Sequence, residues 1–208
     1  MKINNRVIKL SILICTLLLS GNALSLDFSY QKFIFELKSF STLFQQVVND
    51  EDGNLVQKNY GNMVYKKPKK FRIEYVVPNN ILLVSDGDFL TTYDKDLNQV
   101  VISKIDEESN KIIEMLSDFD SIKRKYMYSA HRVNKDILVE FIPKDSATSG
   151  EIFLLINNGR IKEINFYNEI NQKVTVKFDK FEKNINVKGA VFNFKIPKEA
   201  DVLVNKND

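Results

Sequence analysis

The spacing of apolar residues changes along the chain and divides it into helical and strand-forming stretches. Near the start, apolar residues recur at steps of three and four, which predicts an amphipathic helix over residues 27–44 with Asp27 as its N-cap. The stripe consists of Tyr30, Phe33, Ile34, Leu37, Phe40 and Phe44. After the polar turn at 49–54 the period becomes two, which is typical of strands with one buried face.

Strands separated by short turns account for most of the remaining chain. Phe71, Ile73 and Tyr75, for example, alternate with Arg72 and Glu74. The same reasoning predicts strands over residues 62–66, 71–77, 81–85, 89–93, 99–103, 126–133, 137–143, 150–156, 160–167, 174–181 and 192–196. Strands that follow one another through short turns form an antiparallel meander. We expect the tail after Pro197 to be loosely ordered.

Two short helices are predicted between these groups of strands. Residues 109–119 carry a cluster of apolar side chains preceded by acidic residues, which suits a helix N-terminus, and a second helix is expected over 120–125. The fold class is therefore mainly β (α+β). We expect one large antiparallel sheet that curls, as large sheets do, with about three helices across its mouth.

The first 25 residues have the three parts of a secretory signal peptide: a basic start, a short apolar core at 10–19 and small residues before the cleavage site. We expect cleavage after Ser25, with Ala23 as the alternative, and a single domain over 26–208. An N-terminal anchor helix is the competing interpretation. It is disfavoured because an apolar core of this length is too short to span a membrane, which takes about 20 residues.

Removal of this segment changes both the cysteine content and the charge. Cys15, the one cysteine, would be lost, so no disulfide or thiol chemistry is expected in the mature chain. Cys15 follows bulky residues, which argues against lipidation. Three basic residues would also go, namely Lys2, Arg6 and Lys9, so the formal net charge falls from +3 to zero. A neutral chain disfavours nucleic-acid binding.

Candidate catalytic and metal-binding residues are sparse. His131 is the one histidine, no G-x-S-x-G motif is present, and zinc would require several histidine or cysteine ligands. The Asp94–Asn98 segment resembles the start of a calcium loop but has Gln99 and Ile105 where that loop needs Gly and Glu, so a hairpin turn is expected. We expect no enzyme activity, no metal and no cofactor. A secreted hydrolase with a carboxylate pair remains an alternative.

The apolar strand faces point instead to a binding protein with an apolar ligand between sheet and helices. The simpler interpretation, in which the protein's own side chains fill that space, is equally open from the pattern alone.

A motif in the first half of the chain resembles a known family. Residues 61–78 read GNMVYKKPKKFRIEYVVP, with a glycine, an apolar strand, a basic residue before proline, a phenylalanine, an alternating strand and a second proline. The similarity continues through Leu83–Gly87 and the Tyr93-Asp94 turn to Gln99. Upstream, Phe44-x-Gln46 matches a family F-x-Q. This pattern is similar to that of the periplasmic lipoprotein carriers of the LolA family.

The resemblance implies a function and a set of partners. Family members have a curled antiparallel sheet that forms an incomplete barrel, with helices as a lid over an apolar cavity. They are periplasmic carriers that take triacylated lipoproteins from an inner-membrane ATP-driven transporter to an outer-membrane acceptor, without covalent chemistry. We expect a monomer. Another amphiphile carrier or an envelope-stress sensor on the same fold is the alternative. A relative of the acceptor type is less expected, because such proteins are usually lipidated on a cysteine and the residues before Cys15 argue against its lipidation.

The resemblance also suggests which residues act. Just before the motif's proline, the family has an arginine that holds the lid closed. In this chain Lys67 occupies that position. We expect a weaker latch, since lysine lacks the planar fork of arginine. The acyl-chain cavity is predicted to be lined by Phe33, Leu37, Phe40, Met63, Tyr65, Phe71, Ile73, Tyr75, Ile112, Ile113, Leu116 and Phe119.

Overall fold

One twelve-stranded sheet dominates the computed structural model, which describes residues 29–105, 111–145, 150–168 and 170–205. Its strands are β1 Ser39–Asn49, β2 Leu55–Lys66, β3 Lys70–Val77, β4 Ile81–Asp86, β5 Phe89–Asp94, β6 Gln99–Lys104, β7 Tyr126–Val133, β8 Asp136–Pro143, β9 Ile152–Asn157, β10 Arg160–Tyr167, β11 Lys173–Lys183 and β12 Asp201–Asn205. The helices are α1 Tyr30–Glu36, α2 Lys111–Ser117 and α3 Phe119–Lys125, with a 3-10 helix at Gly189–Phe192.

The strand order explains why the sheet is not closed. It runs β12-β6-β5-β4-β3-β2-β1-β11-β10-β9-β8-β7, so pairing of β1 with β11 joins two antiparallel meanders and leaves β12 and β7 at the ends. Only β12 pairs in parallel, with β6, among the described strands. The predicted mainly β architecture, an unclosed sheet with about three helices, is confirmed.

Alternation along the strands places apolar side chains on the face that the helices cover. Tyr65 pairs with Phe71 and Met63 with Ile73 across β2 and β3, and these four side chains are buried. The intervening positions face outward, as the period of two requires. The sheet therefore presents one continuous apolar face to α1, α2 and α3.

The predicted helix over 27–44 is wrong in its second half. The helix ends at Glu36 and β1 begins at Ser39. Ser29 caps the helix, with its Oγ accepting a hydrogen bond of 3.3 Å from the amide of Lys32, whereas Asp27 lies outside the described residues. Phe40 and Phe44 continue the helical spacing, but with Thr42 they also alternate. The buried sheet face decides in favour of the strand.

The C-terminal predictions also need correction. Residues 192–196 are not a strand: the 3-10 helix ends at Phe192, and the described chain then continues without regular structure to Pro197. The tail that was expected to be loose forms β12 instead, with Val202 opposite Val100 of β6. Its partner strand lies about a hundred residues earlier, so local pattern does not reveal the pairing.

The segment after β11 crosses the outer face of the first meander. Phe192 is buried there, together with Leu82, Val84 and Val100, whose positions alternate with the inward-facing ones. The Phe194 ring lies 5.5 Å from that of Tyr93, between centroids. Part of the sheet is thus covered on both faces.

Candidate functional site

An apolar cluster occupies the space between the three helices and the inner face of the sheet. All of the predicted lining residues belong to it. Leu37, Phe40, Met63, Tyr65, Phe71, Ile73, Ile113 and Leu116 are buried within it, and Phe33, Tyr75, Ile112 and Phe119 are half-buried against it. The structure therefore brings these residues together, while their contact with acyl chains remains a prediction.

The position of Phe40 differs from the prediction, because it belongs to the sheet and not to the first helix. It lies on β1, where its ring is stacked on Phe181 at 4.7 Å between centroids and lies 5.2 Å from Tyr65. Phe40 thus joins β1, β2 and β11 at the base of the cluster. Only Phe33 and Leu37 of the predicted set come from α1 and the residue after it.

The second meander supplies much of the cluster, and sequence reasoning missed it. Phe141, Leu154, Ile164 and Phe181 are buried on β8, β9, β10 and β11. Tyr30 of α1 rests on this side, with its ring centroid 4.9 Å from that of Phe141. The alternation in 137–143 and 152–156 carries the signal for these positions, since it is the same alternation that predicts the strands.

Two buried tyrosine hydroxyls attach the end of α2 to its neighbours. Tyr30 Oη donates to the carbonyl of Met115 at 2.7 Å. Tyr65 Oη lies 3.1 Å from the carbonyl oxygen of Leu116 and 3.3 Å from that of Pro68. Burial raises the pKa of both phenols above the usual value. The hydroxyls therefore stay protonated and satisfy carbonyls that the helix leaves unpaired at its C-terminus.

Lys67 forms the corresponding contact on α1. Its Nζ donates a hydrogen bond to the carbonyl oxygen of Ile34, in the last turn of the helix. Its backbone amide donates to the carbonyl of Lys38 at 2.9 Å. Desolvation and then the charge of Lys38 lower the pKa of the ammonium. A cation at this end of a helix is favoured by the helix dipole.

A pocket of about 240 Å³ opens at the side of α1. Phe33, Leu37, Ile137 and Ile156 form its apolar part, and Ser29, Lys32, Glu36, Gly159, Lys183 and Asn184 its polar part. Pockets for drug-sized ligands have volumes of about 300–1,000 Å³. This pocket alone is too small for several acyl chains.

The arrangement matches a known family of carriers. The sequence profile of the family described as Outer membrane lipoprotein carrier protein LolA covers residues 36–195. The chain belongs to the LolA family. The outer-membrane lipoprotein carrier protein of Chromohalobacter salexigens is 29% identical over 168 residues, which cover 79% of this chain and 80% of that one. Its counterpart in Nitrosomonas europaea is 27% identical over 179 residues, 84% and 87% of the two chains.

A solved structure shows the likeness of fold. An uncharacterized conserved protein from Thermus thermophilus superposes with a TM-score of 0.53 and 14% identity, over 84% of this chain and 98% of that one. The LolA family is a family of carriers and not of enzymes.

The glycine of the LolA motif has a steric reason in this structure. A Cβ on Gly61 would overlap the carbonyl oxygen of Glu74 and lie 2.7 Å from Cζ of Phe44. The Phe44 ring covers Gly61 and meets Tyr75 edge-on at 5.3 Å between centroids. A side chain at position 61 would displace both the adjacent strand and this aromatic pair.

The residues around His131 lack the arrangement of a catalytic triad. Ser129 Oγ lies 3.0 Å and Glu140 Oε2 3.8 Å from the same nitrogen, Nε2 of His131. A triad needs the nucleophile and the carboxylate on opposite ring nitrogens. These three residues share the outer face of β7 and β8, on the side of the sheet away from the apolar cluster.

The Asp94 segment forms a hairpin turn. Asp94 Oδ1 accepts hydrogen bonds of 3.0 Å from the amides of Asp96 and Leu97, and Lys95 pairs with Glu74 at 2.5 Å. Within the described ranges, no group of three or more histidine, cysteine or acidic side chains is placed to hold a metal. In the same part of the chain, no helix combines the length and apolarity needed to cross a membrane. The predicted signal peptide lies outside the described residues.

Proposed function

We propose that this protein is a periplasmic carrier that shields the acyl chains of lipoproteins and moves them from the inner to the outer membrane. The observation that supports this most directly is the apolar cluster between the helices and an unclosed sheet, in a member of the LolA family. The ligand would lie between α1–α3 and β1–β3, against the residues predicted as its lining. No covalent step is needed.

The free energy of acyl chains in water explains why such a carrier must enclose its cargo. Each CH₂ group removed from water contributes about 0.8 kcal/mol, so three chains cannot cross the aqueous space unprotected. A fully open apolar groove would bind too tightly to release them and would also aggregate. Helices that cover the groove when it is empty compete with the ligand and lower its net affinity.

The contacts that hold the helices are suited to this competition. Lys67 to Ile34, Tyr30 to Met115 and Tyr65 to Leu116 are single hydrogen bonds to helix carbonyls. Each contributes about 1 kcal/mol, which the burial of a few CH₂ groups offsets. We assign Lys67 as the latch of α1, in the position where the family has an arginine. Entry of a lipoprotein would displace the helices and expose the cluster.

The proposal also covers location and partners. The mature chain would act in the periplasm as a monomer, with triacylated lipoproteins as cargo. It would receive them from an inner-membrane ATP-driven transporter and deliver them to an outer-membrane acceptor. The family membership and the carrier names of its relatives support this assignment.

Complex formation in the absence of detergent tests the proposal. The purified protein is mixed with a fluorescently labelled triacyl lipoprotein, and the mixture is separated by size-exclusion chromatography with light scattering. We expect a soluble one-to-one complex, and no such complex with the same lipoprotein stripped of its acyl chains. A lipoprotein that remains wholly aggregated would contradict the proposal. Mass spectrometry of ligands that co-purify from the cell envelope distinguishes lipoproteins from other amphiphiles.

A further inference from the structure

Asn184 connects the end of α1 to the sheet through both ends of its side-chain amide. Its Nδ2 donates to the carbonyl of Glu36 at 3.1 Å, and its Oδ1 accepts from the amide of Lys38 at 2.9 Å. The two bonded peptide groups lie on either side of Leu37. One asparagine thus holds both the last residue of the helix and the first residue after its cap.

The backbone around Asn184 is fixed to β1. Its amide donates to the carbonyl of Ser39 at 2.6 Å, and Ser39 Oγ donates to the carbonyl of Ile185 at 2.6 Å. Asn184 has φ of 57°, in the left-handed region that asparagine tolerates better than most residues. The side chain is therefore presented to α1 from a rigid support.

Lys38 is held from two directions by hydrogen bonds to its own backbone, whereas α1 is held by side-chain packing and by hydrogen bonds that side chains donate. The Lys38 amide bonds to Asn184, and its carbonyl accepts from the amide of Lys67. The helix has seven residues, too few for stability on its own. In addition to Asn184, the Lys67 latch holds this helix, as do the packing of the Tyr30 ring and the hydrogen bond of the Tyr30 hydroxyl. Leu37, with ψ of 99°, is where the chain passes from the helix to the fixed segment.

We propose that Asn184 is a positioning residue that fixes the pivot of the lid at Leu37, so that α1 swings open while Lys38 stays on the sheet. The inference rests on the proposed function, because a pivot matters only if α1 opens to admit cargo. Opening would withdraw Tyr30 from Met115 and uncover the cluster, and the Asn184 side chain would guide the helix back to the same closed position.

Amide hydrogen exchange of the ligand-free protein tests this assignment residue by residue. In the wild type, we expect the amides of Phe33 and Leu37 to exchange together and faster than that of Lys38. Asn184→Gly keeps the left-handed backbone but removes both side-chain bonds. Exchange at Leu37 and Lys38 should then rise about tenfold, while that at Val48 in β1 is unchanged.

Two further variants separate positioning from general stability. Asn184→Asp retains an acceptor for Lys38 but not the donor to Glu36, so Lys38 should keep near wild-type protection while Leu37 exchanges faster. Asn134→Gly is the matched control, because Asn134 has the same φ of 57° in the β7–β8 turn but no side-chain hydrogen bond among the described residues. It should leave α1 unchanged.

Three results would overturn the inference: unchanged exchange in Asn184→Gly, an equal rise over the whole sheet, or exchange of Lys38 together with α1 in the wild type. Because the measurement uses no ligand, its outcome is independent of lipoprotein binding. Failure of the lipoprotein complex to form would remove the proposed function without changing the exchange pattern. Failure of the exchange pattern would remove the pivot without affecting formation of the complex.

Discussion

The Nζ of Lys67 donates a hydrogen bond to the carbonyl oxygen of Ile34, which joins the β2–β3 turn to the last turn of α1. The neighbouring Lys66 has a different partner, since its Nζ donates to the carbonyl of Val187 at 3.0 Å. Adjacent lysines of the motif thus bind two different segments of the chain. This pair provides a matched test of the latch.

Replacement of Lys67 should loosen the lid. Lys67→Met removes the bond to Ile34, so we expect the closed state to lose about 1 kcal/mol and binding of a hydrophobic fluorophore to rise several-fold. Lys66→Met, which leaves α1 untouched, should bind the fluorophore like the wild type. Lys67→Arg keeps a cationic donor at this position, so it should keep α1 closed. Equal fluorophore binding by all three variants would show that the latch lies elsewhere.

The buried tyrosines predict an alkaline loss of stability. Because burial raises the pKa of Tyr30 and Tyr65, the folded protein keeps protons that the unfolded chain releases above about pH 10. The free energy of unfolding is therefore retained below about pH 10 and falls as the pH rises further. Burial likewise raises the pKa of Tyr126, to about 12.

Urea unfolding between neutral pH and about pH 11 measures this fall. Tyr65→Phe removes one of the contributing phenols, so its stability should decline less steeply than that of the wild type. Tyr60→Phe, at an exposed position, serves as the control and should follow the wild-type curve. If the free energy of unfolding falls equally steeply with pH in Tyr65→Phe and Tyr60→Phe, the assigned role of burial is wrong.

The packing around Gly61 predicts a large effect of one methyl group. Gly61→Ala places its Cβ against the carbonyl oxygen of Glu74, which is backbone and cannot rotate away. We expect the free energy of unfolding to fall by about 1–3 kcal/mol. Gly189→Ala is the control, since a Cβ there meets no atom within 4 Å. A midpoint of denaturation for Gly61→Ala equal to that of Gly189→Ala would contradict the steric account.

A charge in the cluster should abolish cargo binding. Phe71 is 1% exposed, and Phe71→Glu would bury an unpaired carboxylate in apolar surroundings. Phe89→Glu makes the same change on β5, where the side chain is 45% exposed, and should leave binding intact. Phe71→Leu retains an apolar side chain and tests whether loss of binding follows from charge. If Phe71→Glu transfers lipoproteins as the wild type does, the assigned lining is wrong.

The sequence predicts the strands of the sheet well because their pattern is local. Alternation at Phe71, Ile73 and Tyr75 reports one buried face, and that face belongs to the observed cluster. The end of the first helix is predicted too late because Leu37, Phe40 and Phe44 fit a helical spacing. From Phe40 on, the residues also fit the alternation of a strand. Burial in the tertiary structure decides between the two, and the local pattern carries no information about that burial.

Contacts between distant parts of the chain account for the remaining differences. β12 forms by parallel pairing with β6, where Val202 lies opposite Val100, and a short apolar run after Pro197 does not reveal that partner. The partners of the Asn184 side chain lie 146 and 148 residues away. An asparagine after a strand predicts a turn, so its bonds to the first helix have no signature in the sequence.

Photo-crosslinking with a lipoprotein that carries a photoreactive group on one acyl chain tests the central claim most directly. After irradiation of the one-to-one complex, peptide mapping identifies the residues that the chain touches. The account predicts crosslinks to inward-facing positions such as Met63, Phe71 and Leu154, and a loss of these crosslinks when excess unlabelled lipoprotein is added. Crosslinks confined to outward-facing residues such as Phe89 and Val204 would contradict it.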